Sequence, residues 1–138
     1  MKKMSYLTSH VGFWLRRVSN QVSHSFARKV EESGVTVAEW VILRELFELQ
    51  EAVAPSQVAE NTGLTRGAVS KLIERLVIKS LVERKGSFDD RRYQTVALTK
   101  AGKLLVPKLA KLADQNDDEF FGELNKTEKN NLLSILMK

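Results

Sequence analysis

No cysteine occurs among the 138 residues. That excludes a thiol-based peroxide sensor, a thiolate zinc site and a cysteine nucleophile, and it fits a reducing compartment. Histidine is nearly absent too. His10 and His24, if carried on one helix, would stand roughly 20 Å apart, too far to share a metal. There is no glycine-rich phosphate loop, no HExxH and no histidine paired with an acid at catalytic spacing. Adjacent carboxylates do occur at Asp89-Asp90 and Asp117-Asp118-Glu119, but they read as a loop tip and a solvated helix turn. No enzyme, cofactor or metal site is therefore expected. No run approaches the ~20 apolar residues of a membrane span, and the N-terminus lacks the apolar core of a signal peptide. A cytoplasmic protein with no membrane partner is the expectation.

The charge that is present is unevenly spread. The net charge of +5 is modest, yet between Gly63 and Arg92 eight Lys or Arg (66, 71, 75, 79, 84, 85, 91 and 92) stand against four acids. Between Asp114 and Asn131 six acids face two lysines. Binding of a polyanion thus belongs to the middle of the chain.

That middle reads as two short helices joined by a tight turn. Pro55 opens the first at a position where a missing N–H costs nothing. Ala59 is small enough to let a second helix approach, and Gly63 stands where the chain needs a left-handed residue. Thr65 is a good N-cap for the second helix. At about 100° per residue, Val69, Leu72, Ile73, Leu76 and Val77 share one arc and Arg66, Gly67, Ser70, Lys71, Glu74 and Arg75 the other. A charged arc alone is an ordinary solvated face. Here, however, its N-terminal residues Thr65, Arg66, Gly67, Ser70 and Lys71 include no acid, as a helix that reads bases requires.

Residues 81–85 and 93–98 have strand composition and flank the polar loop 86–92, which predicts a β-hairpin. Its tip, Asp89-Asp90-Arg91-Arg92, nearly cancels its own charge. One carboxylate holding one guanidinium would prepare an arginine for a narrow minor groove. A plain surface salt bridge, worth under about 1 kcal/mol, has the same composition.

With these residues in view, the chain resembles the MarR family of bacterial winged helix-turn-helix transcription regulators over nearly its whole length. The matches are residues 64–76, LTRGAVSKLIERL, and Asp90-Arg91-Arg92 followed by Leu98-Thr99. The resemblance implies that Arg92 enters the minor groove, that Asp90 orients it beside Arg91, and that Thr65, Arg66, Ser70, Lys71 and Arg75 face the major groove or its flanking phosphates. One departure is Ser80, where the family usually has glycine. Serine tolerates a left-handed cap less well, so a differently shaped helix exit is expected.

The flanks look like helices seeking partners. Leu7, Val11, Trp14, Leu15, Val18, Val22, Phe26 and Val30 repeat at helical spacing from Tyr6 to about Glu32. Thr36 with Glu39 forms a capping box for a helix carrying Trp40, Val41, Leu43, Leu46 and Phe47. Beyond Thr99 a long apolar pattern runs to Leu124, with Pro107 expected to bend it near residue 103. Asn125 with Glu128 caps a last amphipathic helix. Two termini with apolar faces and little chain to bury them imply an isologous homodimer.

The fold expected is mainly α with a small β-hairpin wing: a winged helix-turn-helix at 35–99, with dimerisation helices at 1–34 and 100–138. The function expected is a ligand-responsive regulator, by default a repressor. Its homodimer would bind double-stranded DNA at a pseudo-palindromic operator, with helix 65–79 in the major groove and wing 86–92 in the minor groove. The resemblance implies a small aromatic or phenolic effector. Candidate pocket residues are Trp14, Arg17, His24, Trp40 and Arg44, although both tryptophans lie on apolar stripes and suit a core as well. The alternative is a winged-helix protein-interaction or RNA-binding module.

Overall fold

A computed structural model describes residues 3–86 and 94–138. After a 3₁₀ turn at Leu7–Ser9 come α1 (Val11–Glu31), α2 (Val37–Leu49), α3 (Pro55–Thr62) and α4 (Arg66–Ile78). Strands β1 (Val82–Lys85) and β2 (Thr95–Leu98) follow, and then α5 (Lys100–Phe121) and α6 (Lys126–Leu136). The strands pair antiparallel, Val82 opposite Leu98 and Lys85 opposite Thr95. Val53 adds a bridge to Val96 on the other edge of β2, which the sequence pattern did not signal.

Helix boundaries follow from their caps. Thr36 and Glu39 form a reciprocal capping box at α2, as do Asn125 and Glu128 at α6. Pro55 sits in the first turn of α3, and Gly63 ends that helix at φ 76°. Two expectations, the start of the first helix and the burial along α2, need correction. The first long helix begins at Val11 rather than Tyr6, because His10 is extended and a separate turn precedes it. Helix α5 is continuous from Lys100 to Phe121 with Pro107 inside it, where the ring removes one backbone donor. On α2 it is Ile42 that is fully buried, while Val41 is exposed.

The core is built where α2, α3 and α4 meet the hairpin and the inner ends of the two long helices. Ile42, Leu43, Val58, Val69, Leu76, Val96 and Leu109 are all essentially inaccessible, and Phe26 and Val30 of α1 join them. The core therefore spans all three expected segments. Along α1 the burial stops: Val11, Leu15 and Val18, on the outer half of the same stripe, are exposed. A polar cluster holds α1 to α5. The Lys29 ammonium donates to Ser25 Oγ (2.8 Å), Asn116 Oδ1 (2.8 Å) and Glu119 Oε2 (2.7 Å). Asn116 in turn donates to the Val22 carbonyl at 3.2 Å. Three protons thus meet three acceptors.

The exit of α4 has a different shape from any that a serine penalty would suggest. Ser80 takes the left-handed conformation at φ 61°. Its N–H donates to the Val77 carbonyl at 2.9 Å and that of Leu81 to Leu76 at 3.0 Å, the double closure of a Schellman turn. The cost of a non-glycine residue is offset from outside. Thr99 donates its hydroxyl to the Ser80 carbonyl at 2.7 Å and accepts the Gly102 N–H at 3.1 Å, so it also caps α5. Gly102 lies so close to this turn that a Cβ would overlap the Leu81 carbonyl oxygen.

One residue earlier, Lys79 leaves the helix face to which its charge would assign it. Its ammonium donates to both carboxylate oxygens of Glu39 (2.9 and 2.8 Å) and to the Gly34 carbonyl at 2.8 Å. Lys79 is therefore not one of the cations available to a polyanion. Glu39 is fully buried. Burial pushes its carboxyl pKa up, but hydrogen bonds from Lys79 and Thr36, with the lysine charge, outweigh it and hold it below the usual value.

Lys79→Met should lower unfolding free energy by about 3–5 kcal/mol in urea titration, because it strands a buried carboxylate. Glu39→Gln should cost less, since the lysine it frees can reach water. A carboxyl held low contributes stability above its unfolded pKa and loses it as pH falls through the folded one. The gap between the parent and Glu39→Gln should accordingly narrow on acidification below the ordinary glutamate range.

Candidate nucleic-acid interface

Helix α4 has one side fully committed. Val69, Leu72, Ile73 and Leu76 are buried, and Val77 is half-buried. The other side carries Arg66, Gly67, Ser70, Lys71, Glu74 and Arg75, all exposed. Thr65 is exposed as well and caps the helix, accepting the Ala68 N–H on its hydroxyl at 3.1 Å. The six sequence-chosen residues between 65 and 75 are thus brought together on one uncovered face. No acid lies in the first turn of this helix, so its partial positive charge is not offset by a carboxylate of that turn.

Gly67 is informative for what does not surround it. It lies in the first turn of α4 and has an ordinary helical φ, and a Cβ built on it would touch nothing within 4 Å. Neither backbone strain nor packing calls for glycine, which in a helix is up to about 1 kcal/mol less favourable than alanine. The backbone here is left open to close approach from outside the chain.

Helix α3 lies beside this face, and a shallow cleft between the two is lined by Ser56, Gln57, Glu60, Leu64, Thr65 and Arg66. A relay secures α3 to α2: Gln57 donates to Asn61 Oδ1 at 2.9 Å, and Asn61 to Glu45 Oε1 at 2.9 Å. Ser56 and Gln57 were not singled out from the sequence, since no periodicity distinguishes them. In the hairpin, β1 exposes Glu83, Arg84 and Lys85. Asp90, Arg91 and Arg92 lie outside the described residues.

The expected pocket residues are not gathered into one cavity. Trp14 is 46% exposed, contrary to a core position, and donates its indole N–H to the Thr8 carbonyl at 2.8 Å. Arg17 stacks over that ring, 5.8 Å from its centroid. Trp40 does join the core edge, meeting Phe26 edge to face. Arg44 pairs with Glu48 at 2.9 Å and lies over Phe47. His24 borders a separate open cleft with Ala27 and Arg28. Among the described residues no cluster of three or more His, Asp or Glu is arranged to hold a metal, and no helix is long and apolar enough to cross a membrane.

Comparison with known proteins agrees with this geometry. The model of the MarR family matches residues 33–92. The HTH-type transcriptional regulator SarZ of Staphylococcus haemolyticus is 25% identical over 134 residues, spanning 97% of this chain and 89% of that protein. The solved structure of BpsR of Bordetella bronchiseptica superposes with a TM-score of 0.86 at 28% identity, over 98% of this chain and 96% of that one. The chain is similar to the MarR family across its helix-turn-helix and hairpin. A second solved relative is CouR of Rhodococcus jostii, bound to p-coumaroyl-CoA, with a TM-score of 0.85 at 26% identity over 96% and 93% of the two chains. BpsR was studied for regulation of its DNA binding by 6-hydroxynicotinic acid. The winged helix-turn-helix architecture with its appended helices is that of the MarR family.

Gly67→Ala separates the two roles of this position. Thermal or urea unfolding should show the variant as stable as the parent, or more so by up to about 1 kcal/mol. Its affinity for duplex DNA should fall. A variant that is more stable and binds equally well would remove the argument from close approach.

Proposed function

We propose that this chain is a MarR-family, ligand-responsive transcription regulator, acting by default as a repressor, that binds a pseudo-palindromic operator as a homodimer in the cytoplasm. The observation that carries the reading is the bare cationic half of α4, opposite a face whose Val69, Leu72, Ile73 and Leu76 are buried. Thr65, Arg66, Gly67, Ser70, Lys71 and Arg75 enter or flank the major groove. Asp90, Arg91 and Arg92 are assigned to the minor groove on the sequence resemblance alone. Residues 35–99 form the DNA-binding unit.

Residues 1–34 and 100–138 supply the dimer. Val11, Leu15 and Val18 of α1, Leu104 of α5, and Leu133, Ile135 and Leu136 of α6 are exposed, and α6 buries no residue at all. A second copy covers these faces, and two-fold symmetry sets two recognition helices about 34 Å, one helical turn, apart. An effector that favours a different spacing weakens the complex by its differential affinity for the two arrangements. The BpsR and CouR ligands, one an aromatic acid and the other an aromatic acyl thioester, support an aromatic acid or its derivative here.

The test is a titration of duplex DNA fragments selected from the source genome, repeated at several salt concentrations and against duplex RNA. Affinity for DNA should fall steeply with salt, and Lys71→Ala should reduce that slope by about 1 if the lysine touches phosphate. Arg92→Ala should weaken binding according to the minor-groove width of the flanks. Little preference for either nucleic acid would favour the interaction-module reading. Sedimentation should give twice the chain mass of 15.6 kDa at micromolar concentration; a stable monomer would contradict the dimer.

A further inference from the structure

Given the DNA-binding function proposed above, on which this rests, we propose that Glu74 is a specificity-determining residue of α4. Its carboxylate selects a cytosine in each operator half-site by accepting a hydrogen bond from the exocyclic amino group on the major-groove edge. Glu74 is the one acid on the bare face of the helix, and it is exposed. At 100° per residue it lies within about 20° of Gly67 around the helix and two turns further along. Arg66 and Arg75 stand about 100° to one side and about 80° to the other of that line. The flanks of the face are therefore cationic, and its centre is not.

A carboxylate on such a helix is ordinarily neutralised by a neighbour. Here the spacing withholds one. The positions four residues before and after Glu74 are Ser70 and Ile78, neither of them a cation. Arg75 is adjacent in sequence and so points about 100° away. Only Lys71 is in reach, at three residues and in the lysine-first order, the weaker arrangement. Among the described residues the ion pairs engage neither Glu74 nor Lys71.

The chemistry then narrows what Glu74 meets. An ionised carboxylate only accepts. Guanine and thymine present acceptors in the major groove, and adenine presents its amino group beside the N7 acceptor. Cytosine presents an amino donor with no acceptor of its own on that edge. A carboxylate at the centre of a polyanion-binding face also weakens every complex in which no donor meets it, so it discriminates by exclusion as well as attraction. The geometry of the face suits this reach. A recognition helix enters the groove with its N-terminal residues, so the gap to the bases widens along it. Gly67, with no side chain and open space around it, stands at the near end, and the longer Glu74 stands at the far end.

The test uses the full-length protein and a duplex operator fragment selected from the source genome, with each C·G pair of one half-site changed in turn to T·A. At one of these positions the parent should lose affinity about ten-fold. Glu74→Ala places a better helix former at an exposed site and should stay folded. It should bind C·G and T·A at that position equally, keep the parent's preferences elsewhere and hold an unrelated duplex more tightly. Glu74→Gln should move the preference there to A·T, whose N6 and N7 the side-chain amide meets together. A Glu74→Ala protein that tightens on every duplex alike with each positional preference intact would overturn the proposal and leave the DNA-binding reading standing. So would a sequence-selective parent indifferent to every C·G change. A parent with no preference among duplexes would overturn both.

Discussion

A helix that reads DNA must be fixed at one end and bare at the other, and everything in this chain follows from how α4 is fixed. Two ties grip its C-terminal end. Lys79 reaches across to the buried Glu39 and the Gly34 carbonyl, binding the helix to the corner between α1 and α2. Ser80 and Leu81 turn the chain under the start of α5, where Thr99 and Gly102 close the joint. Neither tie touches the N-terminal half of α4, which is left to solvent and to whatever approaches it. The same two ties connect the helix to both long terminal helices. Lys29 and Asn116 then fasten those helices to each other. The terminal helices and α4 are in this way linked by polar contacts with fixed partners, in addition to the apolar core.

Much of this architecture was legible in the sequence because short-range rules govern it. The capping boxes at Thr36 and Asn125, the proline at the start of α3, the left-handed Gly63 and the Thr65 cap each depend on residues within four positions of one another. The division of α4 into a buried and a bare arc follows from helical periodicity alone. Periodicity also revealed that α1 has more apolar surface than one chain covers. It did not reveal where the helix starts, since His10 breaks a pattern that Leu7 continues.

What escaped was long-range. Lys79 looked like one more cation of the recognition helix, and only its placement across from Glu39, 40 residues away in sequence, shows that its charge is spent inside the protein. Ser80 looked like a poor cap because the Thr99 hydroxyl that supports it comes from the far side of the hairpin. This gives a physical reason for the Leu98-Thr99 pair, which on the sequence was only a family marker: Leu98 packs in the core and Thr99 joins two helix ends. The pocket candidates failed to assemble for a related reason. Aromatic and cationic residues on α1 and α2 meet in separate pairs, Arg17 on Trp14, Trp40 on Phe26 and Arg44 on Phe47, and do not enclose one cavity.

The central claim is that two identical cationic helix faces are presented to one side of a duplex at a separation of about one helical turn. Hydroxyl-radical footprinting on a selected genomic fragment tests it most directly. The account predicts two protected patches related by a two-fold axis, centred about 10 base pairs apart or a multiple of that, and lying on the same face of the DNA. A single patch, protection that winds continuously around the duplex, or patches on opposite faces would contradict it.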